Sequence, residues 1–106
     1  MSYISTLRVQ IKQGTASDIE QLIQERLVPV RQELLTRGDV LSMMVIRAEE
    51  PADTYELITH WASKEAHDRN ENSPAEQAAL AAAAAYIAAA PAELAGSPIV
   101  ELEERR

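Results

Sequence analysis

The sequence has 106 residues, a formal net charge of -7 and no cysteine, and these features exclude several classes of protein. Neutralising a phosphate backbone needs clustered Lys and Arg, which this acidic chain lacks, so we expect no nucleic-acid partner. Without cysteine, disulfides and thiolate metal sites are excluded, which is compatible with the reducing cytoplasm where we expect the protein to be located.

The chain length indicates a single domain over residues 1–106. Its core must be mostly aliphatic, because the sequence has one Trp, three Tyr and no Phe, and thin cores often gain stability from oligomerisation. No apolar run approaches the roughly 20 residues of a membrane span. The N-terminus alternates instead of forming a basic region before an apolar block, so we expect neither a membrane partner nor a secretory signal.

The first strand is predicted over residues 2–11, where Tyr3, Leu7, Val9 and Ile11 share one side. The alternation is typical of a strand with one buried face. It places Ile4 on the opposite side.

A long helix is predicted next, and Thr15 with Asp18 resembles a capping box at its start, near residue 16. Its apolar residues follow the spacing of one helical stripe. They are Ile19, Leu22, Ile23, Leu27, Val30 and Leu34. Pro29 lies inside this stripe, so we expect a kink there and not two separate helices. Gly38 is typical of a helix end.

Two more strands are predicted, separated by a polar connection at residues 49–53. The strand 40–46 is apolar on both faces apart from Ser42, so we expect both faces to be covered. The strand 54–61 alternates, and successive side chains of a strand point to opposite faces. One face carries Tyr55, Leu57, Thr59 and Trp61, and the other carries Glu56, Ile58 and His60.

The chain then changes from strand to helix at Ser63, a good N-cap for a short helix to about Asn70. A second helix is predicted to start at Ser73–Glu76, which combines a capping Ser, a Pro at the first helical position and a Glu that completes a capping box. We expect it to extend to Ala90. Alternation over Ile99–Glu103 predicts a final strand.

This order of elements predicts an α+β fold of the ferredoxin-like βαββαβ type, in which helices cover one face of an antiparallel sheet. The other face, which carries Ile4 and Ile58, must be hidden. A second copy of the sheet is the obvious cover, so we expect a homodimer formed through the open sheet face. On the helix side, the strand end at Trp61 meets the first turns of the following helix, which favours a pocket there.

Three segments resemble one known family in their order and spacing. They are the helix start at Gly14–Ala16, the segment Trp61–Ala66 and the helix start at Ser73–Pro74. Together they span most of the chain and resemble the antibiotic biosynthesis monooxygenase family, whose members form dimeric α+β barrels. The resemblance implies that an ionisable aromatic, such as an anthrone or a quinol, is deprotonated and reacts directly with dioxygen, without flavin or metal.

The resemblance also implies roles for particular residues. Trp61 matches the strand-end Trp that lines the pocket of anthrone oxygenases, whereas their Asn four residues earlier is Leu57 here. Quinol-type members often carry a His at the position of Asn70, and His67 is one turn away. In the haem-degrading branch, three functional residues fall at Leu7, Asn70 and Leu80, and all three positions differ here.

We therefore predict two catalytic candidates, His67 as a general base and Asn70 as a group that orients an oxyanion. The predicted substrate-binding residues are Trp61, Tyr55, Leu57, Leu7 and Tyr86. Each has a structural alternative: Trp61 as a core plug, the tyrosines as packing, His67 as a surface residue and Asn70 as a helix end. We predict no metal site, because His60 and His67 have no third ligand in a recognisable pattern.

The leading hypothesis is a cofactor-independent monooxygenase that acts on a small hydroxylated aromatic. The alternative is a non-catalytic small-molecule binder or structural dimer of the same fold, favoured by the apolar residues at Leu7, Leu57 and Leu80. Haem degradation is a third possibility, but it would need a new axial ligand.

Overall fold

The computed structural model describes residues 2–102 of the chain. Its strands are β1 (Tyr3–Gln10), β2 (Val40–Arg47), β3 (Thr54–Trp61) and β4 (Ala92–Gly96). Its α-helices are α1 (Ala16–Leu22), α2 (Val28–Arg37), α3 (Lys64–Glu71) and α4 (Pro74–Ala83). The strands form one antiparallel sheet in the order β2-β3-β1-β4, so the predicted ferredoxin-like α+β arrangement is confirmed. Within the described residues, every helix is too short or too polar to cross a bilayer.

The first helical region runs from α1 to α2 through a π-helical turn at Ile23–Leu27, without an intervening loop. Pro29, in the first turn of α2, has no N–H to donate to the Glu25 carbonyl, so the disruption predicted for Pro29 takes the form of this wider turn. The predicted capping box at Thr15 is wrong. The Thr15 hydroxyl donates to the Lys12 carbonyl at 2.6 Å and does not cap α1.

The alternation predicted for β3 sets the two faces of the sheet. Tyr55 and Trp61 are buried on the helix side, at 5 % and 1 % exposure. Trp61 packs with Leu34, Val40 and Ala66, and Tyr55 packs with Ile11 and Ile19. The aliphatic core therefore forms two clusters between the sheet and the helices.

The opposite face of the sheet is open in the single chain, so β2 is covered on its helix side, and the cover of its other face by a second copy stays a prediction. Met44 is 59 % exposed and Ile46 41 % exposed, although both are large and apolar. Met44 pairs with Ile58 of β3, which in turn pairs with Thr6 of β1, so these residues share one face. All four helices lie on the other face, and nothing in residues 2–102 packs over these exposed side chains.

The caps predicted for α3 and α4 are confirmed, since Ser63 Oγ accepts from Ala66 N at 3.0 Å and Ser73 Oγ accepts from Glu76 N at 3.3 Å. The capping box at Ser73 is only half formed, because the Glu76 carboxylate bonds to Arg31 and not to the backbone N–H of Ser73. The predicted extension of α4 to Ala90 is wrong, since it ends at Ala83 and a 3₁₀ turn follows at Ala84–Tyr86.

The predicted final strand at Ile99–Glu103 is also wrong for its described part. Ile99 is 99 % and Leu102 93 % exposed, while Glu103 lies outside the described residues. The fourth strand is formed instead by Ala92–Gly96, which pairs with β1 from Ile4 to Arg8. Strand formation depends on available neighbours more than on intrinsic preference, and Ala92–Gly96 is the segment that lies along the free edge of β1.

Candidate functional site

A cavity of about 160 Å³ lies between the helix-facing side of the sheet and the helices. Its wall is mainly aliphatic, with side chains from β1, the π-helical turn, β3 and α4. They include Leu7, Val9, Ile23, Leu27, Leu57 and Leu80. An apolar cavity of about 150 Å³ is known to hold a benzene-sized ligand, so this cavity has the volume for one aromatic ring.

Trp61 lies at the polar end of the cavity, at the last position of β3. Its Nε1 donates a hydrogen bond of 2.8 Å to Ser5 Oγ on β1, which fixes the orientation of the indole. Since the residue is 1 % exposed and also packs with Leu34 and Val40, it is both a core plug and part of the cavity wall. Trp61 is therefore a core residue that also lines the cavity.

Arg31 of α2 is buried beside this indole, with its guanidinium carbon 5.1 Å from the ring centroid. Its Nε and Nη2 donate to the Glu76 carboxylate at 3.3 and 2.7 Å, and its Nη1 donates to Thr59 Oγ1 at 2.6 Å. Both side chains of the pair are more than nine-tenths buried. A buried cation of this kind needs a bonded carboxylate, so Arg31 and Glu76 form a neutral unit in the cavity wall.

His67 also lines the cavity, and its side chain is 8 % exposed. The ring contacts Trp61 edge to face, with centroids 5.4 Å apart, and Tyr3 at 5.0 Å. Its Nδ1 lies 2.9 Å from Asp68 Oδ1. Its Nε2 is 4.0 Å from Glu93 Oε1, beyond hydrogen-bonding distance, and the described residues provide it with no hydrogen bond.

This geometry favours one tautomer of the imidazole. In the neutral ring, Nδ1–H donates to the Asp68 carboxylate, which leaves the lone pair on Nε2. Hydrogen bonds from Lys64 and, to a smaller extent, from His67 lower the pKa of Asp68, so it is ionised at neutral pH. The result is an imidazole whose orientation is fixed by Asp68, on a residue that lines the cavity.

Tyr55 lines the cavity with its ring, while its hydroxyl donates a hydrogen bond of 2.5 Å to Glu20 Oε2. Burial, and then the hydrogen bond to Glu20, raise the pKa of Tyr55 to about 12. The phenol therefore stays protonated and bonded at any physiological pH. Tyr55 therefore contributes to the shape of the cavity and does not act as a base.

The other predicted site residues divide into two groups. Leu7 and Leu57 line the cavity, whereas Asn70 and Tyr86 do not. Tyr86 packs on the cluster around Ile11. The Asn70 amide donates to the Ala66 carbonyl at 2.8 Å and to Asp39 at 3.3 Å, and its oxygen accepts from Arg37 at 3.3 Å.

One group of side chains could contact a single cation. His67, Asp68 and Glu71 each offer a ligand atom, and these atoms lie within 4.8 Å of one another. The sequence pattern predicted no third ligand beside His60 and His67, whereas the fold brings Asp68 and Glu71 close to His67. Asp68 already accepts from Lys64 at 2.6 Å and contacts His67, so a metal ion would have to displace both contacts. We assign no metal to these residues.

Sequence reasoning also missed Arg31, Glu76 and Glu93. A signal existed for the first two, because Arg31 lies four residues after Leu27 and three before Leu34, on the apolar stripe itself. Glu76 likewise lies three residues before the buried Ala79. Charged residues at core-facing positions are rarely buried unless they are paired with each other. Glu93 gave no signal, because its strand was not predicted.

Comparisons with known proteins bear on the family and the fold. Residues 2–82 match the antibiotic biosynthesis monooxygenase family. A protein from Mycobacterium tuberculosis has 16 % identity and a TM-score of 0.80, with 97 % of this chain and 100 % of that chain covered. A proposed antibiotic biosynthesis monooxygenase from Deinococcus radiodurans has 16 % identity and a TM-score of 0.77, with 98 % and 99 % covered.

A proposed antibiotic biosynthesis monooxygenase from Chloroflexus aurantiacus has 18 % identity and a TM-score of 0.72, with 97 % of this chain and 98 % of that chain covered. At such identities these neighbours support the fold alone. No curated protein is significantly similar to the chain. The match over residues 2–82, together with the observed sheet topology, shows that the chain belongs to the antibiotic biosynthesis monooxygenase family.

Proposed function

We propose that the protein is a cofactor-independent monooxygenase that oxidises a small hydroxylated aromatic with dioxygen. The observation that carries this proposal is the unpartnered Nε2 of His67 in the wall of an aromatic-sized cavity, with Asp68 behind the ring and Trp61 beside it. A base in this position can remove a phenolic proton from a bound ligand. Apolar surroundings keep competing water away from the reaction.

The volume of the cavity favours a one-ring quinol over a three-ring anthrone. A cavity of about 160 Å³ accommodates one benzene-sized ring, and Leu7 and Leu57, which are paired on neighbouring strands, line its sheet side. A tricyclic ligand is larger than this cavity and would have to extend out of it. Within the predicted substrate class, we therefore place quinols first.

The proposed reaction converts a quinol and dioxygen into a hydroxyquinone and water. His67 Nε2 accepts a hydroxyl proton, and the resulting anion forms a carbon–oxygen bond from a ring carbon to dioxygen. The peroxide anion takes the proton back from His67 and becomes a hydroperoxide. The hydrogen on the same ring carbon then leaves as the oxygen–oxygen bond breaks, which forms the new carbonyl and releases the distal oxygen as water. The ring is oxidised, one oxygen atom is reduced to water, and no electron donor besides the quinol is needed.

Trp61 acts in this proposal as the platform against which the ring lies, and Arg31 holds the platform in place through its contact at 5.1 Å. Asp68 positions His67 and stabilises the imidazolium that forms when the proton is accepted. Asn70 has no role in the proposed chemistry, because its amide already bonds to Ala66, Asp39 and Arg37.

We also propose that two copies pair through the open face of the sheet. Met44, Ile46 and Leu94 are 59 %, 41 % and 74 % exposed, and Ile58 lies between β2 and β1 on the same face. Apolar patches of this kind are costly to leave in water. Sedimentation equilibrium checks the pairing, with Met44→Lys expected to shift the protein toward monomer.

A second candidate, favoured by the aliphatic wall, is a small-molecule binder without turnover. Leu7, Leu57 and Leu80 contribute apolar surface to the cavity, and such a wall holds a ligand without activating it. The two candidates differ in what happens to the bound quinol in air.

An oxygen electrode tests the proposal. Methylhydroquinone and an anthrone are each mixed with the protein in the presence of a metal chelator and catalase, and oxygen uptake is compared with buffer alone. The monooxygenase reaction consumes one dioxygen per quinol and forms no hydrogen peroxide. Uptake equal to that of buffer for every quinol, with binding retained, supports the binder instead.

A further inference from the structure

The charges around the cavity carry information about the substituents that a ligand can have. Three carboxylates line the cavity, from Glu71 at the end of α3, Glu76 of α4 and Glu93 of β4. Among the described residues of the wall, Arg31 is the one Lys or Arg side chain. The wall therefore has more formal negative charge than positive charge.

The single cation is not available to a ligand. Arg31 uses Nε and Nη2 on Glu76 and Nη1 on Thr59, at distances between 2.6 and 3.3 Å. A ligand carboxylate at the buried end would have to break this pair, which would leave the Glu76 carboxylate buried without a partner. The cost of an unpaired buried charge makes that exchange unfavourable.

The two remaining carboxylates lie near His67 and are partly exposed. Glu93 has a side-chain exposure of 48 %, and its Oε1 is 4.0 Å from His67 Nε2. Glu71 is within 4.8 Å of a His67 ligand atom. They form a negative rim between the interior of the cavity and solvent, on the same side as the proposed base.

We infer that the site selects aromatic ligands with a neutral or cationic substituent and rejects carboxylated ones, with Glu71 and Glu93 as the specificity-determining residues. This inference rests on the proposed function for the location of the site, and it adds a substrate class. A substituent that projects toward the rim meets two negative charges and no free cation. An ammonium group there is attracted, and a carboxylate is repelled.

Three hydroquinones of similar size test the inference: ethylhydroquinone, 2-(2,5-dihydroxyphenyl)ethylamine and 2,5-dihydroxyphenylacetate. They carry a neutral, a cationic and an anionic side chain on the same ring. Binding is measured without air at pH 7 by quenching of Trp61 fluorescence, which reports on the cavity because Trp61 is the sole Trp of the chain. The absence of oxygen separates binding from turnover.

The amine is expected to bind at least as tightly as the neutral ligand, and the acid more weakly by roughly two- to fivefold for each rim carboxylate. High salt is expected to reduce this discrimination, since the rim is exposed to screening ions. Glu71→Gln and Glu93→Gln, alone and together, should each recover part of the lost binding of the acid.

Glu65→Gln is the matched control, because Glu65 is an exposed residue of the same helix as Glu71 and does not line the cavity. It changes the net charge equally and should leave the order of the ligands unchanged. Equal binding of the acid and the neutral ligand, or an equal effect of Glu65→Gln, overturns the inference. Absence of quenching by all three ligands also overturns it.

Failure of the proposed function has a different signature. If the order of binding is as expected but no oxygen is consumed when air is admitted, the charge selection stands and the monooxygenase activity does not. If all three hydroquinones are oxidised with equal efficiency, the activity stands and the charge selection does not.

Discussion

The guanidinium carbon of Arg31 lies 5.1 Å from the centroid of the Trp61 ring, and Glu76 holds it there with two hydrogen bonds of 2.7 and 3.3 Å. This contact joins α2, α4 and the end of β3 at the polar end of the cavity. Replacing Glu76 with Ala leaves a buried cation without its partner. We expect a loss of about 3–5 kcal/mol in the free energy of unfolding, measured by urea denaturation.

The double variant Arg31→Met/Glu76→Leu is the companion to that experiment. It removes both charges and keeps much of the volume, so we expect it to be more stable than Glu76→Ala, with a loss of at most about 2 kcal/mol. If the double variant were the less stable of the two, the pair would not be the charge-neutral unit that the structure describes.

The role of His67 as a base predicts a loss of rate without a loss of binding. His67→Gln keeps a polar side chain of related shape, and we expect kcat for quinol oxidation to fall by roughly 10²–10⁴-fold while the anaerobic Kd changes little. Asp68→Asn should lower kcat less, with the Kd again unchanged, because Asp68 positions the ring and does not touch the substrate. Glu65→Gln on the same helix serves as the control. A variant of His67 that retained full kcat would remove it from the mechanism.

The environment of Tyr55 predicts an unusual alkaline titration. Burial, and then the hydrogen bond to Glu20, raise the pKa of Tyr55 from 10.0 to about 12. A raised folded-state value means that the contribution to stability is complete below pH 10 and is lost as the pH rises through about 12. Ultraviolet titration of the folded protein should show one tyrosine ionising near pH 12, and Tyr55→Phe should remove that transition. Retention of the transition in the variant would assign it to another tyrosine.

The contacts of Asp39 predict a second pH dependence of stability, in the acid range. Burial acts to raise the pKa of Asp39, but hydrogen bonds from Asn70 and Arg69, with the charges of Arg69 and Arg37, outweigh burial and lower it below 3.8. A lowered folded-state value contributes stability above pH 3.8, and this contribution is lost as the pH falls through the lower value. Asp39→Asn should therefore destabilise the protein at pH 7 and converge with the wild type in strong acid. An equal difference at both pH values would contradict the assignment.

The Asp39 contacts also explain why the role predicted for Asn70 was difficult to judge from sequence. An Asn at the end of a helix can orient a ligand or satisfy backbone groups, and spacing does not distinguish the two. In the folded chain, Asn70 reaches Asp39, 31 residues away. That partner depends on how α3 packs against the turn after α2, which is a tertiary feature.

The fold was predictable because its strands and caps have local signatures. The alternation from Tyr55 to Trp61 set the two faces of the sheet, and Ser63 and Ser73 marked two helix starts correctly. β4 was not predictable in this way. Its sequence, Ala92–Gly96, has weak strand preference, and it forms because β1 offers a free edge.

Of the predicted residues, Trp61, Tyr55, His67, Leu7 and Leu57 line the cavity, and Tyr86 and Asn70 do not. Trp61 and His67 stand out as residue types with few copies in the chain. The Arg31–Glu76 pair joins positions 45 residues apart, and its charges cancel only after folding. The position of Glu93 beside His67 required knowledge of β4. The polar part of the cavity thus depends on long-range contacts that periodicity does not encode.

A single-turnover experiment tests the central claim most directly. The protein is saturated with methylhydroquinone without air until Trp61 fluorescence is fully quenched, and the complex is then mixed with oxygenated buffer in a stopped-flow instrument. The account predicts that hydroxyquinone absorbance appears much faster than with the free quinol, and that His67→Gln slows this step while quenching is preserved. Hydroxyquinone formation at the rate of the free quinol, from a fully quenched complex, would contradict it.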